Sequence, residues 1–196
     1  EAATDRPRPP VPPAGNLSVH QQVALGAGRR APFYHGLLGR EWQYRYYSFD
    51  SAWGKDEQMG SMRNGSGDHW FALFMPAGAG IIGLAHEAPM FRFESPWPGI
   101  FAGLPPDLDE VRSEPAFDAR NCTFCLWCLT ADRSWRRGDV AFASGDDPDG
   151  SRELLHLLDG TPESYADFAS EYFEVEVPPQ AIAAVYAHEP LLPSLL

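Results

Sequence analysis

Lysine is nearly missing from this chain. Lys55 is the only one among 15 basic residues, the rest being arginine. With 18 glycines and 19 prolines, that usage fits GC-rich coding of a bacterial kind, which is a statement about codons and not about activity. Cysteine is also scarce. The three residues Cys122, Cys125 and Cys128 fall in the run NCTFCLWCLT, and an odd number argues against a disulfide framework and for a reducing, cytoplasmic compartment. No apolar run approaches the roughly 20 residues that a membrane-spanning helix needs. The chain opens on Glu1 without an apolar signal segment, as expected of a processed start or of numbering begun partway along a longer chain. The motifs GxSxG, HExxH, the Walker loop and the dinucleotide fingerprint are all missing, so none of the enzyme classes they mark is indicated.

Basic charge is lacking in one half only. Residues 1–100 carry nine acids and nine bases, so the whole net charge of -12 resides in residues 101–196. From Asp139 onward there are twelve acids and one base, Arg152. Such a surface repels nucleic acid and anionic membranes, so neither is expected as a partner. It suits a basic protein partner, or solubility alone.

What is present is globular in character. Of 196 residues, 44% are hydrophobic and 13% aromatic, enough for one core-forming domain. Residues 1–15 (EAATDRPRPPVPPAG) form a proline-rich arm that should be extended and should lie on a partner, a second copy of the chain included. Residues 16–196 then form a single α+β domain, strand-rich over 16–145 and helical over 151–190.

The most distinctive stretch is MRNGSGDHWFALFMPAGAGIIGLAHEAPM. His69 to Met75 is aromatic and apolar, Pro76 to Gly80 supplies turn chemistry, and Ile81 to Ala85 is apolar again. Neither run alternates with polar residues, which predicts a central hairpin covered on both faces. Before it, Arg63, Gly65, Ser66 and Gly67 could form a concave row of N–H groups beside a guanidinium, a candidate anion site. The alternative is a tight lead-in loop, favoured because neither a phosphate-loop lysine nor a helix follows. His86 and Glu87 end the second run. If the hairpin is in register, Asp68 and His69 begin one strand where His86 and Glu87 finish its partner, so the four share a sheet edge. They are the candidate catalytic cluster for acid–base work, against the simpler reading of a satisfied, partly buried histidine.

Elsewhere, Trp42 to Phe49 alternates as a half-exposed strand, and Asp50 to Gly60 reads as a loop or a single helical turn. Phe91 to Pro106 is too rich in proline for regular structure, and a short helix is expected over Asp107–Ser113. The CxxCxxC run has cluster-like spacing, but a fourth ligand is missing. As a strand, Cys122 to Thr130 would place Cys122 and Cys128 on one side and Cys125 on the other, so buried free thiols are expected and no metal or cofactor. Ala131 to Gly138 reads as a turn, with Asp139 to Ala143 pairing back. Gly145 to Gly150 resembles a calcium loop, yet Gly145 and His156 occupy positions that require carboxylates, so a solvated turn is expected. Ser151 should cap a helix over Arg152–Leu158. Thr161-Pro162-Glu163 starts another, whose apolar face is Tyr165, Phe168, Ala169, Tyr172 and Phe173. A last helix after Pro178-Pro179 carries Ile182, Val185 and Tyr186, followed by a leucine tail.

Taken together, SMRNGSGDHWFALF, the His-Glu after the next strand, TFCLW and SYADFASEYFE resemble an uncharacterised bacterial protein family over most of the chain after about residue 45. That resemblance implies no activity and assigns no residue. Small acidic α+β proteins of this kind are generically similar to immunity and adaptor proteins of bacterial toxin systems. Two functions follow as expectations. The first is a non-enzymatic protein-binding or assembly protein, possibly of immunity type, acting through the acidic C-terminal surface and the arm. The second is a small hydrolase or metal-dependent enzyme at the His69/His86 rim.

Overall fold

The computed structural model describes residues 46–132 and 134–186. Six antiparallel strands follow one another in chain order across a single sheet: β1 (Tyr47–Gly54), β2 (Glu57–Arg63), β3 (His69–Met75), β4 (Gly78–Leu84), β5 (Phe124–Leu129) and β6 (Arg136–Arg137). The expected central hairpin is β3–β4, in register from His69↔Leu84 to Met75↔Gly78. Its turn is only Pro76-Ala77, and Gly78 to Gly80 belong to the strand. Helices gather in the C-terminal part, making an α+β fold.

Both faces of the sheet are covered, which is why its central strands lack polar alternation. One face presents Tyr47, Met62, Trp70, Phe74, Phe124 and Leu126 to a helical layer formed by α2 (Ser151–Leu154), α3 (Pro162–Phe173) and α4 (Pro179–Tyr186). Tyr165, Ala169 and Ile182 close that core. The other face presents Phe71, Leu73, Ile82, Cys125 and Trp127 to the long β4–β5 connection. There Leu108 of a 3-10 turn, Val111 of α1 (Glu110–Ser113) and Phe117 are fully buried. Gly80 makes this approach possible, because a Cβ on it would lie 2.4 Å from Val111 Cγ2.

Several elements differ from the sequence reading. Asp50 to Gly60 is neither loop nor helical turn: it forms the end of β1 and start of β2, with Asp56 turning the chain at φ 62. Its acids and glycines have low strand propensity, but pairing of β2 with the apolar β3 overrides it. The strand that pairs back on β5 is Arg136–Arg137, through Leu126↔Arg137 and Trp127↔Arg136. Asp139 to Ala143 is drawn to another loop instead, where Trp97 Nε1 donates to the Ala141 carbonyl at 2.8 Å. Cys122 precedes β5, so strand alternation does not reach it. It lies with Cys125 in the core behind the β4–β5 connection, while Cys128 lies in the core under the helices. All three are buried free thiols, as expected.

Gly145 to Gly150 is only partly solvated. Asp149 is 5% exposed and accepts from the backbone and hydroxyl of Ser151 at 3.0 and 2.7 Å. Asp147, not Ser151, caps α2 by accepting from the Arg152 and Glu153 N–H groups. The sheet is fastened to this layer where Trp70 Nε1 donates to the Leu154 carbonyl at 3.0 Å. The buried line of α3 is Tyr165, Ala166 and Ala169, and Tyr172 is 43% exposed. The proline-rich arm, residues Trp42 to Arg45 of the strand expected over Trp42–Phe49, and the leucine tail lie outside the described residues.

Candidate functional site

The rim of the β3–β4 hairpin is built around Asn64. Its Oδ1 accepts from the Ser66 N–H (2.9 Å) and the Asp68 N–H (3.1 Å), and its Nδ2 donates to Asp68 Oδ2 at 2.7 Å. Asn followed by Gly-Ser-Gly is Asx-turn chemistry, the signal by which the sequence could have singled out this residue. Gly65 and Gly67 take φ 78 and 116. Among the candidate anion-binding residues, Ser66 therefore has its N–H turned inward onto Asn64. Arg63 extends to the opposite side of the sheet, its guanidinium 5.5 Å from the Phe71 ring centre.

Asp68 and His86 do meet. Asp68 Oδ1 accepts from the His86 backbone N–H at 2.9 Å and contacts ring Nδ1 at 2.7 Å. A carboxylate partner places the proton on Nδ1 and leaves Nε2 facing outward. The His86 side chain is 38% exposed, and its Nε2 stands 3.9 Å from Oε1 of the well-exposed Glu87. Gly67 lies flat against the imidazole, where a Cβ would be 3.2 Å from Nδ1. The bond from Asp68, with the charges of Asp68 and Glu87, raises the His86 pKa against what little desolvation it feels. Burial pushes Asp68 up, and the His86 and Asn64 bonds outweigh it, holding the carboxyl below its usual range.

His69 points the other way. Its ring tilts against Phe71 at 5.3 Å, and burial lowers its pKa despite the nearby Asp118. The predicted cluster is thus divided by strand alternation, with Asp68, His86 and Glu87 together and His69 with Arg63 and Phe71. No hydrogen bond joins His69 to His86 among the described residues. The Asp68–His86 pair has the orienter-and-base arrangement of acid–base sites. Among the described residues no hydroxyl or thiol is bonded to His86, and no group of three or more His, Cys, Asp or Glu is placed to hold a metal.

A second feature emerges from the helical layer. Glu163, Asp167 and Glu171 are spaced four apart along α3, and Glu174 at its C-cap continues the row. All four are exposed, and none is in an ion pair among the described residues. The last turn of α3 contains no basic residue. Glu171 and Glu174 therefore face the negative end of the helix dipole, unfavourable by about 0.3–1 kcal/mol each. Val175, 45% exposed, lies beside them. Periodicity in the acidic positions was readable from the sequence, which instead drew attention to the apolar ones.

Compared with protein-family models, curated proteins and solved structures, the chain matches none, so the family resemblance read from its motifs finds no support there. No helix among the described residues is long and apolar enough to cross a membrane.

Proposed function

We propose that this is a non-enzymatic binding protein that docks a basic protein partner on the exposed face of α3. The observation that carries this reading is the row Glu163, Asp167, Glu171 and Glu174, without an ion-pair partner among the described residues and held where the helix dipole opposes two of its members. A merely solvated face would tolerate lysine or arginine in the last turn, which the dipole favours. Tight docking of an inhibitory or immunity type belongs to the same reading, since charge complementarity steers association and selects partners.

The test uses the full chain and an arginine-rich peptide as probe, followed by fluorescence anisotropy at low and moderate salt. The variant E163Q/D167N/E171Q/E174Q should weaken binding by at least about tenfold, the loss expected when several complementary charges are removed. A control variant, D107N/D109N/E110Q/E114Q, removes the same number of charges from the β4–β5 connection and should bind nearly as the parent does. Equal losses in both variants mean that net charge alone attracts the peptide, and the docking face is then wrong.

A second reading is favoured by one observation, the Asp68–His86 pair with Nε2 turned outward. It makes the rim a proton-transfer site in a small hydrolase. In a screen of small esters and phosphoesters, hydrolysis by the parent that is lost in His86→Gln and kept in the four-fold α3 variant would establish it. Turnover that survives His86→Gln would remove it.

A further inference from the structure

Arg137 and Asp149 form an inward-facing ion pair that is too long to close by itself. Arg137 Nη1 stands 3.5 Å from Asp149 Oδ2, with the two side chains only 19% and 7% exposed. Charge-assisted N–H···O bonds normally close at about 2.7–2.9 Å. The other Asp149 oxygen is already satisfied, since Oδ1 accepts from the Ser151 N–H and hydroxyl. Oδ2 has no short donor among the described residues. Arg137 Nε is fully buried and likewise has no hydrogen-bond acceptor there. Leaving a buried N–H of a charged group unsatisfied is strongly unfavourable.

The same two residues line a small cavity, together with Thr123, Phe124, Val140 and Phe142. It offers about 10 Å³ to the centre of a water molecule, close to the minimum of roughly 10–15 Å³ for one water. Thr123 is bonded to neither Arg137 Nε nor Asp149 Oδ2. Its hydroxyl donates to the Asp149 carbonyl at 2.8 Å and accepts from the Ala85 N–H at 3.0 Å. The Phe142 ring, 5.2 Å from Arg137 Cζ, covers the guanidinium.

We infer that one buried water occupies this cavity, accepting from Arg137 Nε–H and donating to Asp149 Oδ2. Water fits where an ion does not: the carboxylate repels a small anion, and the guanidinium repels a cation. The bridge completes a joint between β6 and the turn from which α2 starts, so it ties the helical layer to the edge of the sheet.

The test is a high-resolution crystal structure of the full chain, paired with a bromide-soaked crystal and a water–amide nuclear Overhauser measurement on Arg137 Nε–H. The expected result is a density peak within hydrogen-bond distance of both Arg137 Nε and Asp149 Oδ2, without anomalous bromide signal, and a water cross-peak at Nε–H. Arg137→Met should remove the peak. An empty cavity, a direct protein acceptor on Nε, or bromide at the peak would each overturn the inference.

Discussion

Asp68 Oδ1 accepts twice from one residue, from the backbone N–H of His86 at 2.9 Å and from its ring Nδ1–H at 2.7 Å. This ties the loop after β2 to the segment after β4 across the end of the sheet. The bond makes stability depend on pH in a defined direction. His86 has a folded-state pKa above its ordinary 6.5, so its contribution is full below about that pH and is lost as pH rises through the raised value. Asp68 is held below its ordinary 3.8, so its contribution is present above that pH and is lost as pH falls through the depressed value. Among the described residues the charged groups facing His86 are Asp68 and Glu87, both acidic, and both support the charged ring. The melting-temperature gap between the parent and His86→Gln should therefore be wide near about pH 5.5 and narrow near about pH 9. A gap that does not change with pH contradicts the assignment.

Gly83 lies opposite Phe124 in the β4–β5 ladder, and the ring lies across it. A Cβ there would be 2.2 Å from Phe124 Cζ, in a core where the ring is 2% exposed. Gly83→Ala should destabilise by about 1–3 kcal/mol, as overpacking does. The urea midpoint should fall accordingly. Adding Phe124→Leu should recover part of the loss, because two contacting sites do not add. A loss unchanged in the double variant means that strand backbone, and not the ring, is responsible.

Much of this fold was legible in the sequence because apolar runs dictate burial. HWFALFM and the following IIGLA announced a doubly covered hairpin, and Thr161-Pro162 announced the start of α3. The misread parts are those in which a distant segment decides. Asp50 to Gly60 has loop composition, yet β3 supplies a partner that draws it into the sheet. Asp139 to Ala143 has strand composition, yet Trp97 and the tight approach of Gly99 and Gly138 hold it elsewhere. At the rim, the sequence placed Asp68 and His86 at one edge, because register follows from turn length. Alternation within β3 should equally have warned that Asp68 and His69 diverge. The glycines of this loop suggest an anion cradle, whereas the Asn64 side chain fills the loop by bonding Ser66 and Asp68.

Asp147 offers a direct check on how the helical layer begins. Its two carboxylate oxygens accept from the Arg152 and Glu153 N–H groups at 3.1 and 2.9 Å. Removing a capping side chain usually destabilises by about 0.5–2 kcal/mol. Asp147→Ala should lower the unfolding free energy by that amount, and the urea midpoint in proportion, with an unchanged m-value, since no large surface is newly exposed. Asp147→Asn should retain much of the effect, because the amide oxygen can still accept one of the two bonds. If Asp147→Ala is neutral, the cap is not formed in solution.

The three cysteines should be chemically silent in the native protein. Burial, with a smaller effect of the Asp118 charge, pushes the Cys122 thiol up to about 12. Burial raises Cys125 as well, with Cys122 beside it, and burial with the Asp132 charge raises Cys128. The thiolate is the reacting form, and at about pH 8 a thiol of pKa near 12 is ionised to roughly one part in ten thousand. Each sulfur is also shielded, Cys122, Cys125 and Cys128 being 2%, 3% and 1% exposed. An aromatic disulfide reagent should therefore label no thiol in the native state and three after unfolding in urea. The native reaction should proceed only as fast as the protein opens, and Gly83→Ala should accelerate it by destabilising the β4–β5 pair. Rapid native labelling of even one thiol would show that β5 is open to solvent, and the doubly covered sheet would have to be redrawn at that strand.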